Sequence, residues 1–180
     1  MVYIFLAPGF EIAEALVPCD ILLRAGAKVQ LVSITKELAV RSAQGVTVLA
    51  DTTIEKLNGA VPHMIVLPGG MPGAQNLRES ALVCQYLLDA DLRGNTIGAI
   101  CAAPFILGEL GLLKGKKATC YPGFENHLEG ATFVGGKVAI DKNIITASGM
   151  GAAQQFGYAL AVAYAGREKA NAVMKQIMAE

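Results

Sequence analysis

Cys101 stands where a side chain could do chemistry. Thr96-Ile97-Gly98-Ala99-Ile100 is an apolar run too short for a helix, and it stops at the cysteine. Ala102, Ala103 and Pro104 follow, and Phe105-Ile106-Leu107-Gly108-Glu109-Leu110 resumes with helical spacing. A buried strand that turns directly into a helix leaves the turn residue above the sheet edge, beside the helix's free N–H groups. That is the logic of a nucleophile elbow, here with cysteine in place of serine. The positive end of the helix favours thiolate over thiol, and the thiolate is the nucleophile. Pro104 suits the first helical turn, where an N–H goes unused. The same string also fits a free cysteine that only fills space, and the stretch alone leaves both readings open.

Three other turns carry residue types that matter beside such a thiol. Pro68-Gly69-Gly70 offers backbone N–H groups unobstructed by side chains, suited to hold an oxyanion. The run Gly69-Gly70-Met71-Pro72-Gly73 matches neither the dinucleotide fingerprint nor the P-loop. Glu11 and Glu14 open a helical stretch. Each either compensates the helix dipole or serves as a carboxyl group that shuttles protons for the thiol, and spacing does not choose between them. His127, after the elbow helix, reads as surface, and His63, at the start of a strand, as structural. Cys19 and Cys84 fall on inward helix faces and read as packing; Cys120, in a loop near the elbow, reads as open to oxidation.

The elements that must position these residues alternate along the chain. Strands are expected over residues 2–7, 28–34, 64–67, 96–100 and 140–147, the last entered through Asp141-Lys142-Asn143. A short antiparallel excursion over 38–50 turns at Gln44-Gly45, and 118–121 reads as a short strand. Helices are expected over 11–25, 80–92, 104–110, 152–165 and 168–178, with a kink or displaced start at Pro18 and stops at Gly26 and Gly166. Apolar strands without clean alternation, each followed by a helix, call for a parallel sheet covered on both faces. The whole chain, residues 1–180, reads as one doubly wound α/β domain. In such sheets ligands bind at the carboxyl ends of the strands. The turns at 7–14, 68–73, 101 and 148–151 therefore converge on one edge, which favours the nucleophile reading of Cys101.

Composition narrows the function. Hydrophobic residues make up 53% of the 180, enough for a full core, and 15 basic residues balance 15 acidic ones. With no basic stripe there is no footprint for nucleic acid. The N-terminal apolar run is broken by Pro8-Gly9 well short of a membrane span and lacks the basic start of a signal peptide. A soluble, cytoplasmic protein with four free thiols is expected, with no membrane partner. Two histidines and no Cys-x-x-Cys pair give no metal site, and no cofactor motif is present.

Taken jointly, Leu6-Ala7-Pro8-Gly9-Phe10-Glu11-Ile12-Ala13-Glu14-Ala15, Val66-Leu67-Pro68-Gly69-Gly70-Met71-Pro72-Gly73-Ala74-Gln75-Asn76-Leu77 and Ala99-Ile100-Cys101-Ala102-Ala103-Pro104 resemble the ThiJ/PfpI superfamily. The resemblance is to the branch of the parkinsonism-associated protein and its bacterial relatives. It implies a flavodoxin-like sandwich that forms homodimers, with Cys101 reactive, Glu14 as its carboxylic acid partner, and the backbone of Gly70 and Ala102 as oxyanion donors. Gly69, Tyr121 and Arg24 are implied as auxiliary positions. Two departures stand out. Tyr121-Pro122 occupies the place where many relatives have a histidine before the proline, and Gln44 and Ser148 replace arginines that some relatives set around an oxidised cysteine, although Arg24 matches. The implied activity is a cofactor-independent glyoxalase or deglycase acting on small 2-oxoaldehydes or on glycated thiols and amines. The alternatives are a redox sensor or chaperone of the oxidative stress response, acting through oxidation of Cys101, and a cysteine peptidase or amidase, which the missing histidine disfavours.

Overall fold

The computed structural model describes residues 1–179. In chain order the elements are β1 (Val2–Leu6), α1 (Ile12–Arg24), β2 (Val29–Ser33), β3 (Ala39–Arg41), β4 (Thr47–Leu49), β5 (Thr52–Thr53), β6 (Met64–Leu67), α2 (Gly73–Glu79), α3 (Ala81–Leu92), β7 (Thr96–Ile100), α4 (Pro104–Glu109), β8 (Lys117–Ala118), β9 (Thr132–Phe133), β10 (Val138–Asp141), β11 (Ile144–Ala147), α5 (Ala153–Ala165) and α6 (Arg167–Gln176). Single 3-10 turns cover Ile54–Leu57, Glu125–His127 and Met150–Ala152.

Seven strands form the main sheet in the order β10-β11-β7-β6-β1-β2-β5, parallel except for the β10 edge. The central order β2-β1-β6-β7-β11 is that of a flavodoxin-like doubly wound sheet. β1, β6 and β11 are buried along their whole length, which explains apolar runs without alternation. One core layer joins the sheet to α2, α3 and α4 through Phe5, Leu77, Leu87, Phe105 and Ile106. The other joins it to α1 and α5 through Phe10, Leu22, Phe156 and Leu160. Gly98 lets that second layer close, because a Cβ there would stand 2.7 Å from Leu160 Cδ2 and 3.0 Å from Phe156 Cζ.

Several expectations change. The stretch 140–147 is not one strand but the antiparallel pair β10–β11, turning at Lys142 with φ 52°; the polar Asp141-Lys142-Asn143 run is the hairpin turn. Pro18 lies inside a continuous α1 rather than displacing its start, and its Cα packs where a Cβ on Gly157 would come within 3.2 Å. The helix α2 has no counterpart in the periodicity. Cys120 is buried, not exposed, and Cys84 is half-buried, with Sγ donating to Arg78 O at 3.2 Å. Leu88 reaches solvent, and Tyr86 and Ala90 take the inward positions of α3. Among the described residues no helix is long and apolar enough to cross a membrane.

Candidate active site

The order of the sheet reverses between β1 and β6, and the loops leaving those two strands are locked together. Glu11 N donates to Gly69 O at 2.9 Å, Gly73 N to Gly9 O at 3.2 Å, and Asn76 Nδ2 to Pro8 O at 2.8 Å. The approach is closer than side chains allow. A Cβ on Gly70 would stand 2.5 Å from Glu11 N, and one on Gly73 2.5 Å from Phe10 N; Gly70 also adopts φ 84°, open to glycine at little cost.

The first turn of α1 is a rearranged capping box. Glu11 is the N-cap, its Oε2 accepting from Glu14 N at 2.7 Å. In the usual arrangement the acid at the third helical position returns to the N-cap N–H. Here Gly69 O already occupies that N–H, so the Glu14 side chain turns inward and Oε2 accepts from Gly69 N at 2.9 Å. Gln44 Oε1 supplies a second cap by accepting from Ile12 N at 3.2 Å. Spacing left Glu11 and Glu14 undecided; packing separates them, the first as cap and the second as a carboxyl group only 1% exposed.

Cys101 ends β7 with φ 64°, a left-handed conformation uncommon outside glycine and of the kind that gathers at active sites. Its N–H donates to Ala147 O at 2.9 Å, and its carbonyl accepts from Tyr121 N at 2.8 Å. The elbow is therefore held from β11 on one side and from the loop after β8 on the other. The backbone N–H groups of Ala102 and Gly70 favour the charged form of the sulfur. The helix α4 that follows is only six residues long.

Glu14 and Cys101 are coupled. Burial pushes the carboxyl up to about 7 from an ordinary 4.5, the Cys101 thiol draws it down, the Glu11 charge raises it further, and the Gly69 N–H lowers it. Burial, then the charge of Glu14 and its hydrogen-bonding pull, push the thiol up to about 12, opposed by the N–H groups of Ala102 and Gly70. The pair thus gives up the first of its two protons near neutral pH and keeps the second well above it. Either Glu14 is ionised beside a thiol, or a neutral Glu14 stands beside a thiolate held by two N–H groups. Glu14 Oε1 is buried without a formed hydrogen bond, a costly state that a proton or hydroxyl from a bound molecule relieves. Gly69 keeps acid and sulfur together: its missing Cβ would lie 2.7 Å from both Glu14 Oε2 and Cys101 Cβ.

The DJ-1/PfpI family model matches residues 1–163. The chain belongs to the DJ-1/PfpI family. Protein dj-1beta of Drosophila melanogaster is 36% identical over 97% of this chain and 95% of its own length. DJ-1 homolog B of Arabidopsis thaliana is 39% identical over 94% of this chain, which spans only 39% of that relative's length. A Caenorhabditis elegans family member named glutathione-independent glyoxalase is 28% identical over 93% of this chain and 89% of its own length. The solved structure of oxidised Toxoplasma gondii DJ-1 superposes with TM-score 0.95 at 34% identity, covering 98% of this chain and 97% of that one.

In this DJ-1/PfpI chain Cys101, Glu14, Gly69, Gly70 and Ala102, the positions the resemblance pointed to, lie close together. Tyr121 joins them through its main chain and stands half-exposed. Arg24 does not. It lies in the last turn of α1, ten residues beyond Glu14 or about 15 Å of helical rise, and pairs with Asp20 at 2.9 Å; its match is one of helix position, with no contact to the thiol in this chain. His127 is exposed, 3.8 Å from Glu109, and His63 lies at the opposite edge beside the N-terminus. Gly149 was overlooked, although the glycine-rich turn was visible: a Cβ there would stand 4.0 Å from Cys101 Sγ. Among the described residues no cluster of three or more metal-ligating side chains occurs.

Proposed function

We propose that this chain is a cofactor-independent glyoxalase that converts 2-oxoaldehydes such as methylglyoxal into 2-hydroxy acids. The observation that carries the reading is the buried Glu14 carboxyl, pushed up to about 7 and placed against a thiol that receives two backbone N–H donors. A group titrating near neutral pH can both give and take a proton.

The steps balance on these residues. The Cys101 sulfur bonds to the aldehyde carbon, the carbonyl oxygen takes up the proton of the pair, and the resulting hemithioacetal oxygen sits on the Gly70 and Ala102 N–H groups. Glu14 removes the hydrogen of that carbon as a proton. The electron pair moves into an enediolate, the proton returns from Glu14 to the neighbouring carbon, and the hemithioacetal hydroxyl proton passes to the former ketone oxygen, leaving a thioester and a new secondary alcohol. Water then cleaves the carbon–sulfur bond, releasing the 2-hydroxy acid and restoring the thiol. The net change is addition of one water. Deglycation of thiols or amines is the same chemistry entered from an aldehyde adduct. As part of this reading the chain pairs with a second copy, and light scattering is expected to give twice its 18.8 kDa mass.

Proton NMR of methylglyoxal incubated with the protein tests the assignment. Lactate is expected with wild type and is lost with Cys101→Ser and Glu14→Gln. Absence of lactate from wild type refutes the activity, and lactate undiminished by Cys101→Ser refutes the nucleophile.

A further inference from the structure

The open side of the thiol has a wall of a particular kind. Tyr121 is 51% exposed, yet its root is fixed to the nucleophile, since its N–H donates to Cys101 O at 2.8 Å. Its ring borders Gly149. A Cβ at that glycine would lie 3.3 Å from Tyr121 Cδ2, 3.8 Å from Cε2 and 4.0 Å from Cys101 Sγ. The absence of a side chain at Gly149 therefore lets the aromatic ring and the sulfur face the same backbone position, and a Cβ there would already crowd the ring. The flanking residues are uncharged. Met71 follows the Gly70 donor and is 53% exposed, and Met150 follows Gly149 and is 59% exposed. Ser148 precedes Gly149, and its N–H is spent on Lys137 O at 3.0 Å.

We propose that Tyr121 is the specificity-determining wall of this site. Its ring packs against a planar, apolar substituent on the carbon next to the aldehyde, so that aryl 2-oxoaldehydes are favoured over methylglyoxal. The ring acts on what is attached to the reacting carbons and moves no proton. Offset or edge-on aromatic pairs are favoured beyond their buried area, and the half-exposed ring has an unoccupied side to offer. The inference rests on the glyoxalase reading for its substrate class, and a second readout makes the two separable.

The first measurement is the ratio of kcat/KM for phenylglyoxal to that for methylglyoxal in wild type, Tyr121→Phe, Tyr121→Leu and Tyr121→Ala. Loss of the ring is expected to lower the ratio about two- to ten-fold in Tyr121→Leu and Tyr121→Ala, while Tyr121→Phe keeps it. The second is the rate at which Cys101 is alkylated by N-phenyliodoacetamide relative to iodoacetamide, read by peptide mass spectrometry. It needs no turnover, and the same pattern is expected. If wild type makes no hydroxy acid but the alkylation ratio falls as described, the glyoxalase reading fails and the aromatic wall stands. If neither ratio moves in Tyr121→Leu, or Tyr121→Phe loses as much as Tyr121→Ala, the proposal is overturned; the second result would assign the effect to the hydroxyl. Exposure of the ring and a main-chain tether leave each variant able to fold, and Leu repeats the Ala test at larger volume.

Discussion

Replacing Glu14 with glutamine is expected to remove a slope from the stability of the protein, and the size of that slope follows from the site. The carboxyl titrates at about 7 in the folded chain against an ordinary 4.5. Below 4.5 folded and unfolded chains both hold the proton, and well above 7 neither does. Between those values only the folded chain holds it, so the stabilisation is full below 4.5 and is lost as pH rises through about 7. A separation of about 2.5 units corresponds to about 3 kcal/mol, and with only 1% of the residue exposed solvent screens little of it. Cys101, pushed up to about 12, lies outside the window. Urea denaturation of wild type and Glu14→Gln in buffers from about pH 4.5 to about pH 8 should give a difference curve, wild type minus variant, that falls by about 3 kcal/mol with rising pH. The catalytic acid would thus weaken the fold at the pH where it works. Parallel curves, or a difference that grows with pH, would refute the reasoning.

Other outcomes follow from the same geometry. Gly69→Ala puts a methyl group 2.7 Å from Glu14 Oε2 and 2.9 Å from Ile100 O; lactate formation should fall at least about a hundred-fold by NMR, the scale of losing a positioned acid–base group. Glu11→Ala removes the α1 cap and should cost about 1 kcal/mol in denaturant unfolding. It also removes a charge that raises Glu14, so the pH dependence of kcat should shift to lower pH. Cys19 and Cys120, both buried, should remain unmodified by iodoacetamide in the folded protein, while Cys101, which is only half-buried, is alkylated. Gly98→Ala meets Leu160 and Phe156 side chains rather than backbone, so an overpacking loss of about 1–3 kcal/mol in unfolding free energy is expected.

The sheet and the elbow were legible because their signals are local. An apolar five-residue run that ends at a small-residue turn and resumes at helical spacing has few other ways to fold. The helix α2 was not legible. Only Ala74 and Leu77 of its side chains turn to the core, too few in seven residues to set a period. The β10–β11 hairpin was read as one strand because Ile140 looked like a core residue, although it is 59% exposed on the edge. Glu14 is plain in the sequence but equivalent there to Glu11. What separates them is Gly69, 55 positions away, whose carbonyl accepts from the N-cap N–H and whose own N–H donates to the freed carboxyl. No spacing rule carries that information. Arg24 shows the converse: a matching helix position means little when the side chain lies turns away from the thiol.

The tether of Cys101 to Ala147 and to Tyr121 gives the thiol two guardians far from it in sequence. A change in β11, or in the loop that follows β8, would re-aim the sulfur without altering the elbow, its acid or its donors. Relatives could therefore diverge in rate and in tolerance of oxidation while every residue that touches the reacting atoms stays the same, so a match at Cys101 and Glu14 alone is a poor guide to how fast a family member works.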